Sequence, residues 1–403
     1  MATTAFDPAP PAARTAYAVL FALSLCHLLN DTIQSLLPAL YPVLQRNYAL
    51  TFTQIGFLHL AFQVTASLLQ PAVGLYTDKR PTFRLLPMGM ACSMLGLLLL
   101  AGARSYWLLV VAAMCVGLGS SIFHPDASRH ARTASGGRFG FAQSVFQVGG
   151  NTGTAIGPLL AAFVVLPFGQ PAVAWFSVLA LIGMGLLWAV GTWAKARARA
   201  RAAAPAPAPG IALPARHVGF VLTILAVLVF SKYVYVTSLS SFYTFYLIET
   251  FGVTVRQSQL LLFLFLGAGA LGTYLGGPIG DRFGRKAVIW GSILGALPFT
   301  LMLPHANLFW TAVLSVIIGV VISSAFSAIL VYGQALVPGR VGLISGLFFG
   351  FAFGVAGIGA AMLGMLADWK GIGFVFQVCA FLPAIGLLTV LLPDERDLTR
   401  KAL

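Results

Sequence analysis

Long apolar runs separated by short polar or basic segments recur along the whole chain. In the first half they span roughly 16–41, 52–76, 83–103, 105–124, 139–168 and 172–193; in the second, roughly 217–248, 257–280, 286–304, 307–333, 341–366 and 372–392. A helix needs about 20 mostly apolar residues to cross a bilayer, so each run predicts one transmembrane helix. The expected fold is all-α and integral to a membrane, with twelve spans. The first run is too long for the apolar region of a cleaved signal sequence and is expected to stay as the first span.

Composition sharpens this picture. Of 403 residues, 59% are hydrophobic and 8% charged, against the about 25% charged that soluble domains carry. So few polar groups cannot cover a globular surface, and lipid must be the main solvent. Cys26, Cys92, Cys115 and Cys379 all lie inside apolar runs and read as reduced packing residues, with no disulfide or metal role. One segment breaks the pattern: KARARARAAAPAPAPGIALPAR, from Lys195 to Arg216. Its Arg/Ala and Ala/Pro composition cannot form an apolar core and predicts a solvated, semi-extended linker. The chain divides accordingly into 1–193, a linker at 194–216, and 217–403.

The formal net charge of +14 would suit nucleic acid, but its distribution has another cause. With both termini in the cytoplasm, the inner segments of the first half hold Arg14, Lys79, Arg80, Arg84, Arg129, Arg132 and Arg138, followed by the linker bases. Those of the second half hold Arg282, Arg285, Lys286, Arg340, Arg396, Arg400 and Lys401. Only Arg46, Arg104, Arg256 and Lys370 fall outside, and Lys232 lies within a span. This is the positive-inside bias of a multi-pass protein of the cytoplasmic (inner) membrane, and it needs no nucleic-acid partner.

Two polar segments repeat. After the second span the chain reads GLYTDKRPTFR, with Gly74, Asp78 and Lys79; after the eighth it reads GPIGDRFGRK, with Gly277, Asp281, Arg282, Gly284, Arg285 and Lys286. Both carry Gly-x-x-x-Asp followed by a base, about 200 residues apart, on a short cytoplasmic turn. The small residue lets helices approach. The acid can cap a helix N-terminus while the bases stay in water at the anionic leaflet. One such turn serves topology and capping equally well; two in register mark an internal repeat.

Ionisable groups inside spans are costly and usually face a cavity or a partner. The first span holds His27, Asn30, Asp31 and Gln34, spaced so that all four share one helical face. Asp31 is about 22 Å along the helix from its cytoplasmic end, beyond the midplane, where a carboxylate must be paired, hydrated or protonated. That makes Asp31 and His27 candidate proton carriers, against the alternative of a structural hydrogen-bonded pair. The seventh span holds Lys232 at an equivalent depth, with Tyr233, Tyr235, Ser238, Ser241 and Tyr243 nearby. Lys232 is a candidate anion-binding base; a fixed Asp31–Lys232 ion pair is the alternative. Tyr233 and Tyr235 offer hydroxyls and ring faces to a polar ligand, although Tyr235 also suits a core. The fourth span ends with His124, Pro125, Asp126, Arg129 and His130. His124 and Asp126 suit a proton relay and Arg129 a gate, with an interfacial cap as the plainer reading; the spacing supplies no convincing zinc site. In the fifth span Gln143, Gln147 and Asn151 form one stripe expected to face the cavity, as do Asn30 and Gln34 of the first. Gly149, Gly150, Gly153, Gly157 and Pro158 bring backbones close and allow a bend.

Here the chain resembles the major facilitator superfamily. GPIGDRFGRK matches that family's loop motif fully, whereas the first copy departs from it at Pro81 and Thr82. The resemblance covers essentially the whole chain and implies two pseudo-symmetric six-helix bundles rocking about a midplane site. It also makes Gly74, Asp78, Gly277, Asp281, Arg282 and Arg285 a conformational latch. Gly153-x-x-x-Gly157-Pro158 is similar to part of the exporter signature of drug–proton antiporters, departing at Ser144, Ala161 and Ala162. HLLNDTIQSLLPALYP, GSSIFHPDASRHAR and ASGGRFGFAQSVFQVGGNTGTAIGPLLA together resemble the fosmidomycin-resistance branch. That likeness implies a proton-driven exporter of a small drug, in the namesake case an anionic phosphonate.

The expected function is therefore proton-coupled antiport of a small, anionic drug or metabolite by alternating access. A proton-coupled importer or native-metabolite exporter is the alternative within carriers, and a channel or receptor a different class. No Walker loop or nucleophile elbow is present, so neither an ATP-driven pump nor an enzyme is expected. No cofactor is expected; the energy source is the proton gradient. A monomer is the default, since each bundle supplies the other's interface.

Overall fold

The computed structural model describes residues 15–79, 82–202, 214–337 and 340–393, without the side chains of 198–202, 215, 277, 278 and 281. Among them, twelve helices are long and apolar enough to cross a membrane. They are α1 (Tyr17–Ala39), α2 (Phe52–Lys79), α3 (Leu85–Gly102), α4 (Tyr106–Ala134), α5 (Phe139–Phe168) and α6 (Gln170–Arg197), then α7 (Arg216–Phe251), α8 (Val255–Gly276), α9 (Arg285–His305), α10 (Leu308–Leu336), α11 (Val341–Lys370) and α12 (Ile372–Leu391). The six-plus-six pattern of apolar runs is realised span for span. The helix of α8 runs on to Phe283, so the motif residues Gly277, Asp281 and Arg282 belong to its last turns.

One boundary differs. The helix containing α6 continues to Ala202, into the segment read as linker, because Ala, Lys and Arg are all strong helix formers and Pro first occurs at 205. The Ala/Pro stretch at 203–213 lies outside the described residues.

The repeat is visible in the backbone. Thr51 caps α2 in a capping box with Gln54, and Thr254 caps α8 in the same box with Gln257. Ser105 and Asn307 cap α4 and α10 through their side chains. Left-handed residues before α2 and α8 are Ala49 and Gly252; positive-φ glycines before α6 and α12 are Gly169 and Gly371. Each pair is about 200 positions apart, so the two halves are copies in their turn chemistry as well as their hydropathy.

Within the first bundle α5 lies along α1, and glycines permit the approach. A Cβ at Gly149, Gly153 or Gly157 would run into Ser24, Leu28 or Ser35 of α1. Below Pro158 the helix widens into a π-turn at Ala161–Val165. The bundles meet along two seams, α2 against α11 and α5 against α8. Large apolar side chains such as Trp107, Phe168, Phe309 and Trp369 remain exposed on the outside, as suits a surface solvated by lipid, with Trp concentrated near span ends.

Candidate functional site

The polar face of α1 turns inward, toward α4 and α5, and meets His124. The His27 Nε2 atom lies 3.2 Å from Asp31 Oδ2 and 3.2 Å from His124 Nε2, and His124 Nε2 is 3.5 Å from Asp31 Oδ1. Asn30 and Gln34 each donate an amide N–H to Asp31 Oδ1 at 3.0 Å. Both amides thus orient the carboxylate. His27 stacks on Phe146, and His124 packs against Phe349 and Phe353 of α11. Gly150 of α5 backs the cluster without a side chain. Asp31 alone keeps part of its side chain, 17%, exposed.

The protonation pattern of this cluster follows from its hydrogen bonds. His27 Nδ1 sits 2.7 Å from the carbonyl of Phe146, and His124 Nδ1 3.0 Å from that of Ser120. A carbonyl only accepts, so His27 Nδ1 carries a proton and its Nε2 presents a lone pair toward Asp31. His124 Nδ1 also lies 3.1 Å from the Ser120 hydroxyl, so it can donate to the carbonyl or accept from the hydroxyl. His124 Nε2 then meets His27 Nε2 and Asp31 as an acceptor in the first case and as a donor in the second, an arrangement in which one proton can be shared.

Asp126 does not join this group. Two residues on from His124, it points to another side of α4, where Arg129 donates to its Oδ1 through Nε at 3.1 Å and Nη2 at 2.7 Å and His130 lies 3.6 Å from Oδ2. Arg129 is held by that pairing. Toward the same end of the molecule, a polar chain crosses between bundles. Ser128 donates to Gln143 at 3.0 Å and lies 3.3 Å from Ser345 of α11; Gln334 of α10 donates to Ser345 and accepts from Arg132 of α4. Gln143 is therefore part of an inter-bundle closure. Asn151 likewise bonds across the α5–α8 seam, to Thr273. Gln147, between them, is buried with its Oε1 unpartnered.

Lys232 is buried in α7. Its ammonium lies 5.5 Å from the Tyr233 ring centre and 5.4 Å from that of Phe326, within cation–π range. Among the described residues it has no hydrogen-bond or ion-pair partner, and the fixed Asp31–Lys232 pair does not form. Tyr233, beside Lys232, is close enough to feel the charge of Asp31. Tyr235 is fully buried within its own bundle, beside Tyr243 and Cys379.

Asp78 reaches the first turn of α11, accepting from the backbone N–H groups of Gly342 at 3.1 Å and Leu343 at 3.0 Å, where Gly74 packs directly on Gly342. The side chain of Asp281 lies outside the described residues; Arg282 is exposed beside Phe283, and Arg285 lines a small cavity with Ser144 and Ser327. The opposite end of the same seam holds a second carboxylate that the sequence reading missed. Asp368, in the last turn of α11, accepts from Phe52 N at 3.2 Å, Thr53 N at 2.8 Å and Thr53 Oγ1 at 2.5 Å, at the start of α2. Its signal in the sequence was an acid at a helix C-terminus, the unfavourable end of its own dipole. A second missed group is His59 on α2, hydrogen-bonded to Tyr41 and lying 3.2 Å from Gln63.

Comparison with known proteins adds independent findings. Residues 23–246 and 225–402 match the family model of the Major Facilitator Superfamily. The chain is 55% identical over 384 residues to the fosmidomycin resistance protein of Escherichia coli (strain K12), covering 95% of each. It is 41% identical, again over 95% of each, to an uncharacterised transporter of Bacillus subtilis (strain 168). A bacterial homologue of the human lysosomal transporter Spinster, solved in an inward-facing occupied conformation, superposes with a TM-score of 0.66 over 96% of this chain and 97% of that one, at 15% identity.

Proposed function

We propose that this chain, which belongs to the major facilitator superfamily and resembles its fosmidomycin-resistance branch, is an inner-membrane carrier exporting a small anion in exchange for protons. The observation that carries this reading is the His27–Asp31–His124 junction, where two imidazoles converge on a partly exposed carboxylate at distances that let them share a proton. Lys232 supplies the complementary element, a buried ammonium with no carboxylate partner among the described residues. A small phosphonate- or carboxylate-like substrate held there would gain a charge-assisted hydrogen bond and the faces of Tyr233 and Phe326.

Antiport follows from energetics. The Escherichia coli relative is named for resistance, which a carrier confers by expelling a compound. Export driven by protons that run inward requires exchange. The family's transporters move solutes and are not enzymes. In this reading both termini are cytoplasmic, following the basic residues, and Asp78 and the Ser128–Gln143–Ser345 chain close the cytoplasmic end. The carrier acts as a monomer, since both seams lie inside one chain.

The test is a susceptibility panel including fosmidomycin, in a pump-deficient bacterium expressing the wild type or Asp31→Asn. Resistance that the normally expressed variant loses supports export coupled at the triad. No resistance to any compound points to an importer or a native-metabolite carrier. Resistance that survives Asp31→Asn refutes the assignment of the proton to this cluster.

A further inference from the structure

The same three side chains have the form of a transition-metal site, and we propose that the His27–Asp31–His124 junction binds one divalent cation of the zinc or cobalt class. The two Nε2 atoms are 3.2 Å apart, and they lie 3.2 and 3.5 Å from different oxygens of the carboxylate, Oδ2 for His27 and Oδ1 for His124. A tetrahedral ion with bonds of about 2.0–2.1 Å separates its ligands by about 3.3–3.4 Å. The two imidazole nitrogens already stand within a few tenths of an ångström of that separation. All three residues offer a ligand atom within 4.8 Å of the others.

The surroundings are those of a metal site as well. His27 Nδ1 donates to the carbonyl of Phe146, and His124 Nδ1 lies 3.0 Å from the carbonyl of Ser120, where a donated Nδ1–H aims the Nε2 lone pair at the centre and raises its basicity. The carboxylate is fixed by Asn30 and Gln34. Two neutral imidazoles and one carboxylate leave a fourth position for water, and a nitrogen-rich set of this kind favours zinc, cobalt, nickel or copper over magnesium or calcium. Gly150 keeps the space free: a Cβ there would lie 2.8 Å from Asp31 Oδ2 and still closer to the His27 ring. The site crosses from α1 to α4, 97 positions away in sequence, so the spacing within His124–Asp126–His130 gave no hint of it.

A metal needs the donors deprotonated, so metal and proton exclude each other at this junction. Binding rests on the donor geometry alone; its consequence, arrest of transport, rests on the proton reading given under Proposed function. The test is titration of the purified full chain in lipid nanodiscs with Co²⁺, followed by ligand-field absorption, and displacement by Zn²⁺. One tight, tetrahedral-type site per chain is expected. Asp31→Asn and His124→Gln remove a ligand and should weaken it by at least about 100-fold, the most that losing a ligand's supporting partner costs. Gly150→Ala keeps every donor and should also lose binding by filling the cradle, and the thermal unfolding midpoint of each variant in the same nanodiscs separates lost binding from lost folding. His305→Gln, at an exposed position, should leave the site unchanged. Absence of a tight site, or a site insensitive to both Asp31→Asn and Gly150→Ala, overturns the proposal. Zn²⁺ binding that leaves proteoliposome transport intact supports the metal site and refutes proton coupling at the triad.

Discussion

Asp78 and Asp368 tie one helix pair at both ends, and removing either should tip the carrier in opposite directions. In each case a carboxylate on one bundle accepts two backbone N–H groups from the first turn of a helix in the other. A hydrogen bond to a charged group contributes about 1.5–3 kcal/mol when shielded; solvent screening at exposed Asp368 reduces this to about 1 kcal/mol. Asn keeps an acceptor oxygen but loses the charge that the α2 dipole favours. Asp368→Asn should therefore raise the population open at that end by about fivefold, and Asp78→Asn should do so at the other end. Spin labels at Arg104 and His305 report one end, and at Arg84 and Arg340 the other, in a background with the four cysteines replaced. The expected result is reciprocal: the Arg104–His305 distance lengthens with Asp368→Asn and shortens with Asp78→Asn. Both variants opening the same end, or neither changing a population, would refute the argument that these are opposing latches.

Lys232→Met matches the buried stem and removes the charge, so uptake of labelled fosmidomycin into inverted vesicles should fall to background while thermal unfolding is unchanged; retained transport would remove Lys232 from the substrate path. Gly153→Ala adds a methyl against the Leu28 carbonyl and Thr32 N of α1 and should cost about 1–3 kcal/mol through overpacking. Its readout is the unfolding midpoint in detergent, and an unaltered midpoint would show that the α1–α5 contact is looser than the geometry states.

The fold was legible because a bilayer imposes one length and one polarity on every span, and because the second half repeats the turn chemistry of the first. Asp31, His27 and His124 were each legible as costly intramembrane groups. Their meeting was not, since it depends on α4 crossing α1 at the height of one residue, which no local spacing encodes. Gln143 and Asn151 show the limit of helical stripes: a shared face says which side they occupy, but α5 turns that side toward a bundle seam at both ends and toward unpaired Gln147 only in the middle. Asp126 shows the same limit in reverse. Its neighbour in sequence, His124, belongs to a different cluster because two residues on a helix point far apart. Asp368 lay in plain view, but its partner is the backbone of Phe52 and Thr53, and backbone donors leave no trace in composition.

An exchanger must keep its two ligands from crossing together, and the charges here do not do that locally. In the proposed reading the proton binds at the His27–Asp31–His124 cluster on α1 and α4 and the anion at Lys232 on α7, and the two attract. Losing the shared proton leaves the cluster with a net charge of −1. Across about 10 Å, one helix diameter, with an effective dielectric near 20, that charge would disfavour a bound anion by about 1.7 kcal/mol, more than tenfold. Exclusion must then come from conformation, through the latches, with the protonated and the anion-loaded carrier preferring opposite faces. The consequence is testable. In an Asp368→Asn background, which biases the carrier to one face, adding Asp31→Asn mimics the neutral cluster and should tighten fosmidomycin binding by calorimetry, or at least not weaken it, although the variant cannot exchange. Weaker binding would mean that proton and anion compete for one group, and the division of labour between Asp31 and Lys232 would fall.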